Sequence, residues 1–153
     1  MRVEIHGLTE LNKKFEKLTG SLDADRVEPI THSGAKIMAA EMERQAPEGP
    51  TGNLKAAIRT VKLKRDGDRP APSIAGVDRK KAPHAHLVEF GTSTRRVKEK
   101  RVLYDAKTGR FFGKEVGDMP AKPFVRRSLH AKETEVVNYV VDGIKRLIEE
   151  GAK

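Results

Sequence analysis

The chain contains no cysteine and no tryptophan, and only two tyrosines and five phenylalanines stand among its 153 residues. Without cysteine it can form no disulfide, no thiolate metal site and no cysteine nucleophile. It also lacks any apolar run near the roughly 20 residues that a membrane-spanning helix needs. The opening residues MRVEIHGLTEL hold no apolar signal-peptide core. These absences are compatible with a reducing cytoplasm.

Positive charge is in excess, because 31 Lys and Arg residues oppose 22 Asp and Glu residues and give a formal net charge of +9. Such a chain attracts acidic partners: nucleic acid, an acidic protein surface or anionic lipid. Proteins that bind single strands usually interleave basic residues with stacking aromatics, so the few aromatics disfavour a dedicated, sequence-specific nucleic-acid reader. The length, with 35% charged and 37% hydrophobic residues, predicts one globular domain over residues 1–153.

Apolar residues at helical spacing predict three helices. The first covers Leu8–Leu18. The second begins near Asp25 or Glu28, holds Pro29 in its first turn, and ends before Pro47. The third runs from about Pro123, as its first helical residue, to Glu150, and its broad apolar band predicts that it packs on a sheet.

Short runs between turns predict a small antiparallel sheet. Val3 and Ile5 alternate with polar residues and predict a short strand or an extended arm. Thr51 is a predicted cap for a short helix from Gly52 to Ile58. The predicted strands of the meander are Ile58–Leu63, Ser73–Val77 and Ala85–Phe90.

The segment Ser93–Gly117 has a different character, with eight basic residues against three acidic ones. Arg101–Tyr104 and Arg110–Phe112 flank a turn that ends at Gly109, which predicts a protruding β-hairpin. Its apolar side chains are numerous for a surface loop, so we expect them to pack on a partner or on each other. Together with the helices, these strands predict an α+β fold.

Several patterns invite a catalytic or metal-binding interpretation, and each has a simpler one. On a strand, His84 and His86 would point to the same face, but no further ligand follows at a metal-site spacing. The run Gly49–Gly52 lacks the Gly-Lys-Ser/Thr ending of a phosphate loop. Ser93 and Ser128 have no glycine elbow around them. The sequence therefore predicts no catalytic residue, no metal ligand and no cofactor.

Three phrases mark junctions between predicted elements: QAPEGPTGNLKAAI at 45–58, HLVEFGTS at 86–93 and MPAKPFVRRSL at 119–129. Gly52 and Gly91 can adopt positive φ at such junctions, and Pro120 and Pro123 fix the approach of the last helix. On a strand, Glu89 would point away from the face of Val88 and Phe90, where an arginine such as Arg126 or Arg127 of a neighbouring subunit could pair with it.

In their order and spacing, these phrases resemble the small minor tail-component proteins of long-tailed double-stranded-DNA bacteriophages and prophages, also called tail completion, head–tail joining or neck proteins. The resemblance covers nearly the whole chain and is weakest over the basic hairpin. It implies helices on a small antiparallel sheet, a homo-oligomeric ring that is commonly six-fold, and a place in the virion where the tail tube meets the head connector. It implies no catalysis.

The partners that follow are further copies of the chain, the tail-tube and head-connector proteins, and a non-specific contact with DNA, with no membrane. The predicted interface and structural residues are Gly52, Leu54, Glu89, Phe90, Gly91, Arg95, Arg96, Tyr104, Phe111, Phe112, Pro120, Pro123, Phe124, Arg126 and Arg127. A basic nucleic-acid-binding domain is the main alternative, and a small hydrolase or nuclease is a third.

Overall fold

The computed structural model describes residues 8–49, 51–96, 103–105, 109–113 and 115–152. These residues contain five helices: α1 (Leu8–Ser21), α2 (Ala24–Gln45), α3 (Asn53–Ala56), α4 (Ala85–Phe90) and α5 (Phe124–Ala152). They also contain six strands: β1 (Ile58–Lys62), β2 (Ser73–Val77), β3 (Arg95–Arg96), β4 (Leu103–Asp105), β5 (Arg110–Gly113) and β6 (Glu115–Val116). The predicted α+β class is confirmed. No helix within the described ranges is long and apolar enough to cross a membrane.

Helix α2 lies at the centre of the fold, with α5 on one side and the β1–β2 sheet on the other. It begins where the Asp23 side chain accepts a hydrogen bond from the Ala24 amide at 2.7 Å. It ends at Ala46, whose extended backbone (φ −62°, ψ 129°) is what a following proline favours. Pro29 lies beyond the first turn, inside α2, where it removes one backbone donor.

The last helix packs differently from the prediction. Helix α5 runs mainly along α2 and α1 and not on the sheet. Glycines allow the close approach: a Cβ on Gly34 would lie 3.1 Å from Val140, and a Cβ on Gly143 would lie 2.6 Å from Ile30. Because these contacts leave much of α5 uncovered, its broad apolar band is not a buried core face.

Strands β1 and β2 form a two-stranded antiparallel sheet in which Ile58 pairs with Val77 and Val61 with Ile74. Side chains alternate between the two faces. The inner face, with Ile58 and Val77, joins the core, while Val61 and Ile74 on the outer face are exposed. The core cluster consists of Ala39, Met42, Ala46, Leu54, Ala57, Ile58, Ala82 and Phe124.

The predicted third strand of the meander is wrong, because residues Ala85–Phe90 form helix α4. The amides of Leu87 and Val88 both donate to the His84 carbonyl, at 2.9 and 3.2 Å. A segment of only six residues does not distinguish a strand from a short helix by periodicity, and the turn at 78–84 leads directly into the helix.

The basic segment contains the predicted hairpin, since β4 pairs with β5 in antiparallel register and β3 pairs with β6. The structure does not describe the side chains of these strands, which include Arg95, Arg96, Tyr104, Phe111 and Phe112. That the hairpin protrudes and that these side chains contact a partner therefore remain predictions. The predicted strand or arm at Val3 and Ile5 lies outside the described residues.

Candidate interaction site at the junction of α4 and α5

Two of the three phrases are joined directly by backbone hydrogen bonds. Thr92 and Met119 exchange both of theirs, each at 2.9 Å, in an isolated antiparallel bridge. The amide of Lys122 donates to the carbonyl of Val88 at 2.8 Å. These bonds connect the end of α4 to the segment before α5, so residues about 30 positions apart in the chain form one junction.

Gly91 makes this close approach possible. Its backbone has φ 75° and ψ −179°, a region that is essentially reserved for glycine. A Cβ atom at this position would lie 2.7 Å from the Met119 carbonyl oxygen and 2.8 Å from the Ala121 amide nitrogen. The predicted positive φ of Gly91 is confirmed, although the residue ends a helix and not a strand.

Glu89 caps the start of α5 within its own chain. One carboxylate oxygen accepts a hydrogen bond from the Val125 amide at 2.9 Å, and the other accepts from the Arg126 amide at 3.1 Å. These are among the unpaired donors of a helix N-terminus, where a negative charge is favourable. The expectation that Glu89 lies on a sheet face is therefore wrong, because its segment is helical. Its pairing with Arg126 or Arg127 of a neighbouring subunit stays a prediction.

The first phrase reaches the same place through α3. Gly52 precedes this helix with φ 63° and ψ 0°, which confirms its predicted left-handed conformation. The predicted cap by Thr51 is wrong, because no side chain caps α3. Leu54, two residues after Gly52, is only 5% exposed and packs in the core.

All three phrases line one cavity of about 380 Å³, which we name the junction pocket. Leu54 and the half-buried Val88 form its apolar floor, and exposed residues, including Glu48 and Lys122, form its rim. The full lining is Pro47, Glu48, Gly49, Thr51, Asn53, Leu54, His84, Val88, Met119, Pro120 and Lys122. A partly apolar concavity of this size is typical of a site that takes a side chain or a small ligand. Sequence reasoning identified the three phrases but missed the pocket, because nothing in their spacing says that they meet.

Phe90 lies on the other side of α4 from the junction pocket. It is 76% exposed and does not line the pocket. Residues two positions apart on a helix are separated by about 200°, so Val88 faces the pocket while Phe90 faces away. A large apolar side chain so exposed, beside a partly apolar pocket, suits contact with another molecule.

The remaining predicted residues divide into core and surface. Phe124 is fully buried and belongs to the core cluster. Pro123 lies immediately before α5, and its carbonyl accepts the Arg127 amide at 3.1 Å. Pro120 lies exposed on the pocket rim.

The shifted pKa values of the described residues arise from hydrogen bonds that stabilise the fold, which suits a structural role more than a catalytic one. Hydrogen bonds from Arg44 and Gln45 lower the pKa of the Glu41 carboxyl to about 2. The pKa of Asp78 is also lowered, mainly by a hydrogen bond from the Lys80 amide. Within the described ranges, no three His, Cys, Asp or Glu side chains converge as metal ligands would. His84 and His86 do not share a strand face, because the chain is helical there.

Comparison with known protein families finds a match. The family model described as "Bacteriophage HK97-gp10, putative tail-component" matches residues 9–91, from α1 to the glycine that ends α4. No curated protein and no solved structure matches the chain significantly. The matched region includes the phrases at 45–58 and nearly all of the phrase at 86–93, whereas the phrase at 119–129 lies outside it. The chain belongs to the HK97-gp10-like family of bacteriophage tail components.

Proposed function

We propose that this chain is a structural virion protein that completes the head-proximal end of a phage tail and helps to join the tail to the capsid. It acts as a homo-oligomeric ring through protein–protein interfaces and without catalysis. Its neighbours in the virion are the tail-tube and head-connector proteins. Membership of a tail-component family supports the general role, and the surface of the chain supports assembly.

The observation that carries the proposal is apolar surface left uncovered on two helices. On α1, Leu8, Leu11 and Phe15 lie on one face and are each about half exposed. On α5, Val137, Val141 and Ile148 form a stripe at spacings of four and seven and are 40–54% exposed. Monomeric proteins rarely leave contiguous apolar patches of this kind, which mark interaction sites.

Deletion of the gene from the parent phage tests the role directly. We expect lysates to contain DNA-filled heads and separate tails of normal length, with complementation by the intact gene restoring joined, infectious particles. Electron microscopy counts the free heads, the free tails and the joined particles. A deletion phage that joins heads to tails at the wild-type frequency would refute the proposal.

A second candidate, binding to the phosphate backbone of DNA, is favoured by the turn that follows β2. Arg79, Lys80 and Lys81 are consecutive and exposed. Asp78 holds the turn by accepting the Lys80 amide on its side chain at 2.9 Å and the Lys81 amide on its carbonyl at 3.1 Å. The three cations are therefore presented together on an ordered turn and not on a loose tail.

The salt dependence of binding to random duplex DNA tests this second candidate. Replacing the three cations by serine should reduce the slope of log K against log salt by about 2.7, at about 0.9 for each lost phosphate contact. The matched control replaces Lys13, Lys14 and Lys17, three exposed lysines on α1. Equal slopes for the two triple variants would rule out a specific role for the turn.

A further inference from the structure

We infer that Phe90 of one copy inserts into the junction pocket of the next copy, so that neighbouring subunits join head to tail. This inference rests on the proposed function, because it specifies the contact by which the ring would form. It commits the pocket to one occupant, a second copy of this chain.

Phe90, the group that inserts, is distinguished by its exposure. Among the described residues Phe90 is the most exposed large apolar side chain, at 76%, and the next, Phe15, is 55% exposed. Gly91 follows it with a backbone fixed by the bridge between Thr92 and Met119. The aromatic ring is therefore held on a braced helix end, and an ordered anchor loses little conformational entropy on binding.

The junction pocket, which would receive Phe90, is already formed in the single chain. The loop after α2, helix α3, helix α4 and the segment before α5 each contribute to the junction pocket. Its volume of about 380 Å³ can hold an aromatic ring. Leu54 and Val88 offer apolar atoms to a ring that enters, and aromatic anchors in such pockets dominate the energetics of many interfaces.

The placement of the two features means that they can meet only between copies. Val88 faces the pocket and Phe90 points from the opposite side of α4, so a copy cannot fill its own pocket. His86, one turn before Phe90, lines a separate groove with Arg79 and Pro83, which places that side of α4 away from the pocket. A surface group that fits a pocket elsewhere on the same molecule makes a heterologous contact, which repeats from copy to copy and closes into a ring when the rotation allows it.

Charge at the two sites is mixed and does not set the contact. The start of α5, with the exposed Arg126 and Arg127, is hydrogen-bonded to Glu89, the neighbour of Phe90. The pocket rim carries the carboxylate of Glu48, which pairs with Lys55 at 3.3 Å, and the exposed cation of Lys122. We therefore expect the apolar insertion to supply most of the affinity.

The area that the single phenylalanine side chain buries is far below the roughly 1,200 Å² of a stable interface. We therefore expect the free protein to associate weakly and additional surface to strengthen the contact in the virion. The exposed stripes of α1 and α5 are available for that purpose.

Cross-linking between two single-cysteine variants tests the contact, because the natural chain has no cysteine that would interfere. One variant carries His86→Cys beside Phe90, and the other carries Thr51→Cys on the pocket rim. With a short bismaleimide at high protein concentration, we expect a cross-linked dimer from the mixture and little from either variant alone. Adding Phe90→Ala to the first variant should weaken association at least about 30-fold, measured from the concentration dependence of the yield.

The matched control adds Leu63→Ala to the same variant. Leu63 is 44% exposed and lies outside both the pocket and the inserted group, so the yield should not change. No dimer from the mixture, or a yield unaffected by Phe90→Ala, would overturn the inference. Cross-linking of each variant to itself as efficiently as in the mixture would overturn it too, because it indicates a two-fold contact.

The phage separates this inference from the proposed function. A phage with Phe90→Ala that joins heads and tails normally contradicts the contact but leaves the role in joining intact. Normal joining after deletion of the whole gene contradicts the role, while the cross-link between purified copies would still stand as a measured contact.

Discussion

Replacing Gly91 by alanine should destabilise the fold more than the same change at Gly49, Gly52, Gly67, Gly109 or Gly117, the other loop glycines whose surroundings the structure describes. Two costs combine at this position. Holding a non-glycine residue in this backbone region costs about 1–3 kcal/mol. The new Cβ would also lie 2.7–2.8 Å from backbone atoms of Met119 and Ala121, and such overpacking typically costs a further 1–3 kcal/mol. We therefore expect a loss of about 2–6 kcal/mol from a total that is typically about 5–15 kcal/mol.

Two other glycines separate these costs. Gly52 has a positive φ of 63° but open space where a Cβ would stand, so Gly52→Ala should cost only about 1–2 kcal/mol. Gly49 has neither a positive φ nor a neighbour within 4 Å, and Gly49→Ala should change the stability by less than about 0.5 kcal/mol. Gly91 differs from Gly52 in its backbone region, which is less accessible to other residues, and above all in the close approach of the two chain segments.

Urea unfolding followed by circular dichroism gives the three free energies of unfolding by linear extrapolation. The expected order of the loss is Gly91 above Gly52 above Gly49. A Gly91→Ala protein as stable as Gly52→Ala would refute the argument, because it would mean that the junction of α4 with the segment before α5 does not hold the backbone at this distance.

Three further predictions follow from the same structure. Glu89→Ala should cost about 1–2 kcal/mol in urea unfolding, because two amides of α5 lose a charged acceptor, whereas the exposed Glu133→Ala on the same helix should cost less than about 0.5 kcal/mol. The free energy of unfolding should fall as the pH drops from about 5 towards 2. Carboxylates whose pKa is lowered in the folded protein bind more protons in the unfolded state than in the folded state over this range. Glu41→Gln removes one of these groups and should make the fall shallower. These carboxylates are Glu28, Glu41 and Asp78. Gly143→Ala should destabilise the protein, because its Cβ would lie 2.6 Å from Ile30, and Ile30→Ala should recover part of that loss in a double-mutant cycle; simple additivity of the two would contradict the proposed clash.

Much of the secondary structure could be predicted from the residues themselves. The apolar spacing of α1 and α2, the stop before Pro47, and the strands at β1 and β2 all follow from local preference. Helix α4 could not be predicted, because its six residues carry too little periodicity to distinguish helix from strand. That single error also misplaced Glu89, Phe90 and the two histidines, whose directions depend on the period of the element.

The packing of α5 shows the limit of reading an apolar band. The band predicts burial, and the helix is indeed half covered by α2 and α1. The sequence contains no information on which part of the band meets a neighbour, since the close approach depends on Gly34 and Gly143 facing side chains from distant parts of the chain. The exposed remainder, which supports assembly, became visible only in three dimensions.

The sequence by itself determined the class of the fold, the basic character and the phrases at 45–58 and 86–93, which fall wholly or largely within the family match, because these depend on local preference and composition. Only the tertiary structure decided that the phrases meet around one pocket and that Phe90 points away from it. The reason is physical: a glycine at positive φ, a backbone bridge and a capped helix start each need a partner that lies far along the chain, and no local pattern specifies that partner.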